Sequence, residues 1–151
     1  MQEFSRSLPM MLYRSLDAVM PRFRQIFNEF GLTEQQWRVL RVLWQHEQIA
    51  FRDLADLTLI PAPSLVGVVD RLTKSGLAGR RRSDIDRRNV FVHATEQGKA
   101  LESKVRPRVD KAYEALRASI DDRTWKALID GLEHISSADN IADGHKKASN
   151  E

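Results

Sequence analysis

The chain contains no cysteine. Disulfides are therefore excluded, together with a thiolate nucleophile or a thiol-based redox switch, and the composition fits a reducing compartment. It also lacks any stretch approaching the ~20 apolar residues that a membrane-spanning helix needs. The opening MQEFSRSLPMMLYRSL carries Glu3 and no long apolar run before a small-residue cleavage site. It does not read as a secretory signal, and a cytoplasmic location is expected. There is no glycine-rich phosphate loop and no Gly-x-Ser-x-Gly elbow. The histidines, His46, His93, His134 and His145, show no metal-ligand spacing. The carboxylates fall on predicted helix starts and exposed faces. No catalytic site, metal or other cofactor is expected. Net charge is small as well: Lys plus Arg total 24 against 21 for Asp plus Glu, or +3. That excess does not identify a polyanionic partner, so the placement of charge matters more than its sum.

What is present is a 151-residue chain with 42% hydrophobic residues, enough for the core of one domain, 1–151. Leu8, Leu12, Leu16, Val19, Phe23, Phe27 and Phe30 recur at helical spacing, with Pro21 inside the pattern and Gly31 as a stop. Thr33 and Gln36 form a capping box for a second helix, and Leu32 and Trp37 stand where a hydrophobic staple would place them. Ile49-Ala50 reads as a short extended piece. Phe51 to Thr58 reads as a short helix. Leu59-Ile60-Pro61-Ala62-Pro63 reads as a turn, and the next helix is expected to begin at Pro63 and run to Lys74. Its apolar face is Leu65, Val68, Val69 and Leu72, and Ser75-Gly76 ends it. Two strands follow, Leu77 to Arg82 and Asn89 to Ala94, joined as a hairpin. Thr95 opens a long helix that Pro107 is expected to bend. Asp121-Asp122 caps a last one that should bury Trp125, Leu128, Ile129, Leu132 and Ile135. A frayed polar tail is expected over 138–151. The fold class is thus mainly α with a small β-hairpin. The terminal helices, 5–30 and 96–137, have one apolar side and no evident partner in the central part, so pairing with a second subunit is the simplest cover.

A short helix, a turn and a longer helix, followed by a basic hairpin, is the pattern of a winged helix-turn-helix, here over 32–95. Five arginines crowd into RRRSDIDRR, positions 80–88. The major groove of DNA admits one helix, and a narrow minor groove focuses negative potential that attracts arginine. Strand alternation lets Arg80 and Arg82 share a face, and Arg87 and Arg88 lie near the hairpin tip. A solvated loop is the competing reading of such a run, and its position directly after the helix-turn-helix pattern favours contact with DNA.

Leu32-Thr33-x-x-Gln36-Trp37-Arg38-Val39-Leu40, Leu54-Ala55, Asp70-Arg71-Leu72-x-x-x-Gly76-Leu77, Asp86-Arg87-Arg88 and Thr95-x-x-Gly98, in this order, resemble the signature of MarR regulators. Within that family, LTEQQWRVLRVL is similar to regulators of aromatic-acid breakdown of the homoprotocatechuate degradation repressor type. The resemblance implies a homodimer built from the first and last helices. It also implies recognition helices in successive major grooves of a palindromic operator, about 10 bp apart, wings in minor grooves, and a small-molecule pocket. By position it implies that Pro63, Ser64, Leu65, Gly67, Val68 and Arg71 face DNA, with Lys74 at the helix end and Arg52 near phosphate. Asp86 and Arg88 match the family's wing pair, in which the acid orients the arginine. Arg71 has an alternative role as the partner of Asp70 or Asp56. Gly67 stands where many relatives carry a longer polar side chain, which points to apolar contacts and shape readout.

An aromatic acid is the ligand that Trp37, Arg38 and Arg14 would suit, by stacking on indole and by a bidentate guanidinium–carboxylate contact. Trp37 as a core staple with solvated arginines is the other reading. The function expected is a repressor of an aromatic-acid catabolic operon, released when a small aromatic carboxylate binds. An activator or anti-silencing factor without a ligand, and a protein-interaction module that has lost DNA binding, remain open.

Overall fold

Local backbone devices set most of the element boundaries. In the computed structural model, which describes residues 4–86 and 88–137, a 3-10 turn at Phe4–Arg6 precedes α1 (Leu8–Glu29). Helix α1 ends in a Schellman motif. Gly31, at φ +69°, donates its N–H to the Asn28 carbonyl at 3.0 Å, and Leu32 N–H returns to the Phe27 carbonyl at 2.9 Å. The capping box starts α2 (Glu34–Leu43): Gln36 N–H donates to Thr33 Oγ1 at 3.2 Å and Thr33 N–H to Gln36 Oε1 at 2.9 Å. Strand β1 (Ile49–Ala50) leads directly into α3 (Phe51–Thr58), which stops at Leu59 in the left-handed region, φ 53°. Helix α4 (Ala62–Lys74) begins one residue before the expected Pro63. Pro63 still falls in the first turn, where a missing N–H breaks no helical bond. A second Schellman motif closes α4, with Gly76 at φ +72° and Leu77 N–H on the Leu72 carbonyl.

Strands β2 (Ala78–Arg82) and β3 (Val90–Ala94) form the hairpin, and β1 adds to β3 in a three-stranded antiparallel sheet of order β1-β3-β2. Ile49 faces Val92, and Arg80 faces the same residue from the other side. The expected extended piece is therefore a third strand. Helices α5 (Glu96–Ala118) and α6 (Asp122–Ser136) follow, and Asp121 caps α6 by accepting the Thr124 N–H at 3.0 Å. Pro21 and Pro107 lie inside α1 and α5, each of which continues past its proline.

The chain divides into two units within α5, at Asp110/Lys111. The first has a core of Phe27, Leu32, Leu40, Leu43, Leu54, Leu65, Val68, Leu72 and Val92, among others. Helix α1 buries only Ile26 and Phe27, while Leu8, Met11, Tyr13 and Leu16 are exposed. In the second unit, Trp125 meets Tyr113 edge-on at 5.7 Å, and the Arg117 guanidinium lies 5.1 Å from the Trp125 ring while bonding Asp122. The sequence places five apolar residues of α6 inward, but this helix buries none of its residues. The tail at 138–151, which includes His145, and Arg87 lie outside the described residues. Among the described residues no helix is long and apolar enough to cross a membrane, and no cluster of acids or histidines could hold a metal.

Candidate nucleic-acid interface

The interface is built by three elements of the first unit. Helix α4 lays Leu65, Val68, Val69 and Leu72 into the core, each 0% exposed. This overturns the expectation that Leu65 and Val68 face DNA. Helical periodicity turns both toward α2 and the sheet, and withdrawing either would cost roughly 1.5–3 kcal/mol of burial. The outward face of α4 is instead Pro63, Ser64, Val66, Arg71 and Lys74, with Gly67 partly exposed. Val66, 45% exposed, lies off the apolar stripe and joins this face, although no motif residue marks it.

Gly67 and Arg71 form an i, i+4 pair. A Cβ at Gly67 would stand 3.4 Å from an Arg71 terminal nitrogen, an ordinary contact, so the guanidinium lies back along the helix over this position. Arg71 makes no ion pair with Asp70 or Asp56. Among the described residues Arg52, Arg71, Lys74 and Arg82 have no carboxylate within 4.0 Å.

The hairpin is fastened to this helix. Alternation along β2 puts Ala78, Arg80 and Arg82 on one face, and Ala78 is buried there. Arg80 therefore reaches α4. Its Nη1 lies 2.7 Å from Asp70 Oδ1, and Nη2 donates to the Val66 carbonyl at 3.3 Å. At the tip, Arg88 donates to Asp86 through its backbone N–H at 3.0 Å, its Nε at 3.2 Å and its Nη2 at 3.4 Å. The Arg88 backbone bond first, and then its side chain, hold the Asp86 carboxyl below the ordinary 3.8. Arg81 pairs with Asp84 at 3.0 Å.

Arg52, Arg80 and Arg88 converge. They line one open cavity of about 370 Å3 with Ala50, Phe51, Val66, Asn89 and Val90, between the start of α3, the middle of α4 and the hairpin. Of these arginines Arg80 is paired with Asp70 and Arg88 with Asp86, and Arg52 has no carboxylate within 4.0 Å among the described residues, so the rim is cationic chiefly at Arg52 while the floor is apolar. Phe51, Asn89 and Val90 belong to this cavity, and nothing in their spacing marks them.

The residues expected to hold an aromatic acid are placed differently. Trp37 stacks on Phe27 at 4.8 Å and meets Trp44 edge-on at 5.4 Å, so one indole face is already taken by the core. Arg14 lines a cavity with Ser5, Arg6, Met11 and Ser15 that includes neither Trp37 nor Arg38. Arg38 Nε is buried with no hydrogen-bond partner.

Residues 32–90 match the MarR family. The chain is 33% identical over 129 residues to the transcriptional regulator FarR of Neisseria gonorrhoeae, covering 85% of this chain and 88% of the relative. It is 32% identical over 134 residues to the homoprotocatechuate degradative operon repressor of Escherichia coli, covering 89% and 90%. The crystal structure of NadR in complex with 4-hydroxyphenylacetate superposes with a TM-score of 0.77 at 33% identity, covering 91% of this chain and 98% of that one.

Proposed function

The chain belongs to the MarR family of transcriptional regulators, and on that footing we propose that it is a homodimeric repressor of an aromatic-acid catabolic operon. In this reading α4 enters the major groove and the β2–β3 hairpin enters the neighbouring minor groove of a palindromic operator. The convergence of Arg52, Arg80 and Arg88 on one cavity between helix and hairpin carries the reading, because the strand separating the two grooves must run there. Pro63, Ser64, Val66, Gly67 and Arg71 then contact the groove, Lys74 and Arg52 the phosphates, and Arg82, Arg88 and its orienting Asp86 the minor groove. Dimerisation is supported by the exposed Leu8, Met11 and Leu16 of α1 and by α6, which leaves Leu128 and Ile135 in solvent.

The effector is a small aromatic carboxylate. Its support is the unpartnered Arg38 Nε, since a buried guanidinium nitrogen without an acceptor is costly and a carboxylate satisfies it. NadR was solved with 4-hydroxyphenylacetate, a molecule of this chemistry. Binding would act by favouring a dimer whose recognition helices are wrongly spaced for DNA.

The test is selection of binding sites from random duplex DNA by the full-length protein, followed by titration across salt concentrations. A palindromic consensus is expected, with a log–log slope of magnitude about 0.9 per phosphate contact. A shallow slope with no enriched sequence would leave a protein-interaction module as the better reading.

A further inference from the structure

Ile85 stands at the tip of the hairpin and is 100% exposed. A branched aliphatic side chain in that position adds nothing to the fold, yet its backbone is firmly held. Ser83 Oγ accepts the N–H groups of both Ile85 and Asp86 at 3.2 Å. Ser83 N–H donates to the Asn89 carbonyl, and Asn89 N–H to the Asp86 carbonyl, both at 2.9 Å. The acids on either side are compensated, Asp84 by Arg81 at 3.0 Å and Asp86 by Arg88 at 3.2 Å. The tip is thus a fixed apolar point between two neutralised carboxylates, on a hairpin rich in arginine.

We propose that Ile85 is a specificity-determining contact, seated between the sugar walls on the floor of the DNA minor groove and favouring A·T over G·C pairs. This rests on the DNA-binding reading above. In the minor groove an A·T pair shows only the acceptors adenine N3 and thymine O2, whereas a G·C pair adds the guanine N2 amino donor. An aliphatic side chain pressed on the floor strips water from that donor and offers no acceptor, which is the expensive way to bury a polar group. Against adenine the same side chain meets only C2–H. Arg88 senses the potential of a narrow groove, and Ile85 adds a test of the base pair itself.

The experiment uses the full-length protein and the duplex recovered by selection. In a second duplex, adenines of the flanking minor-groove tracts are replaced by 2,6-diaminopurine, which adds an amino group to the minor-groove floor and leaves the major-groove edge unchanged. The wild type is expected to bind the substituted duplex about tenfold more weakly, as one unsatisfied buried donor dictates. Ile85→Ser should bind the adenine duplex several-fold more weakly and lose most of the discrimination, while Ile85→Val keeps both. Melting temperatures should agree, because the side chain touches nothing in the fold. Wild-type affinity and wild-type discrimination in Ile85→Ser would overturn the assignment and leave the DNA reading intact. Failure of the wild type to bind any duplex would remove both. An effect of Ile85→Ser on self-association alone, with DNA binding unaltered, would also overturn it and make the tip a protein contact.

Discussion

Asp70 of α4 and Arg80 of β2 are joined by an ion pair of 2.7 Å, and the same guanidinium reaches back to the Val66 carbonyl one helical turn earlier. One arginine of the basic run is thereby turned from a free charge into a brace between helix and hairpin. The Arg80 side chain is 35% exposed and Asp70 45%, so the pair contributes only about 0.2–1 kcal/mol to stability. Its larger effect should be on geometry. Arg80→Ala and Asp70→Ala are expected to leave the melting temperature nearly unchanged, to speed amide exchange in β2 and β3, and to weaken operator binding. The doubly swapped protein, Asp70→Arg with Arg80→Asp, should recover hairpin protection. Unchanged exchange in both single variants would show that the brace carries no restraint.

Arg88 is held by Asp86 at three points, yet its side chain is 90% exposed. Arg88→Ala should lower operator affinity about tenfold or more and flatten the salt dependence by about one phosphate equivalent, with no loss of stability. Asp86→Asn should be milder, since it removes orientation and keeps the cation. Asp86 titrates below its ordinary value of 3.8 in the folded protein. The contribution of its ionised form is therefore complete above that value and is lost only as pH falls through the lower folded one. A carboxyl chemical-shift titration of Asp86 with a midpoint above 3.8 would contradict this.

The exposed apolar residues of α1 and α6 predict self-association. Leu16→Glu and Ile135→Glu should each shift the protein toward monomer in sedimentation velocity, and the two together should abolish operator binding, whose half-sites need two recognition helices. A fully dimeric double variant would disprove their place in the interface.

Titration with small aromatic carboxylates should change the tryptophan fluorescence, because Arg38 directly follows Trp37 and Trp37 already contacts Phe27 and Trp44. Arg38→Ala should abolish the response, and Arg38→Lys should restore little, lacking the planar fork. No response from the wild type would dismiss Arg38 as the acid's partner.

The capping box at α2 offers a check on the fold alone. Thr33→Ala leaves N–H groups of the first turn without partners and should cost about 1 kcal/mol, lowering the melting temperature by roughly 2–4 °C. DNA affinity measured well below that temperature should not change.

The legible parts of the sequence are those in which function and local physics coincide. Thr33 with Gln36, Gly31, Gly76 and Asp121 each do at the backbone what their residue type suggests. Periodicity also identified the buried stripe of α4. At Leu65 and Val68 position in the family motif and helical periodicity point opposite ways, and burial follows the periodicity. The alternative partners of Arg71, Asp70 and Asp56, make no ion pair with it: consecutive helical residues point about 100° apart, and Asp70 turns to Arg80 on a strand that sequence spacing does not bring near. Phe51, Asn89 and Val90 were missed for a related reason. The cavity they line exists only once β1 has joined β3, and a two-residue strand leaves no periodic trace. Ser83 as the holder of the hairpin tip was equally silent.

Thr95 gathers several chain ends around itself: its hydroxyl donates to the Gly76 carbonyl at 2.5 Å and accepts the Gly98 N–H at 3.1 Å, and its own N–H meets the Leu77 carbonyl. Trp44 at the end of α2 donates its indole N–H to the Gly98 carbonyl at 2.9 Å. At Gly98 any larger residue would run into the Leu77 carbonyl oxygen. The end of α4 and the start of α5 are therefore joined by a close set of hydrogen bonds centred on Thr95. Any displacement of the first turn of α5 would strain its contacts with the Gly76 and Leu77 carbonyls, so the end of α4 is the first place to feel it.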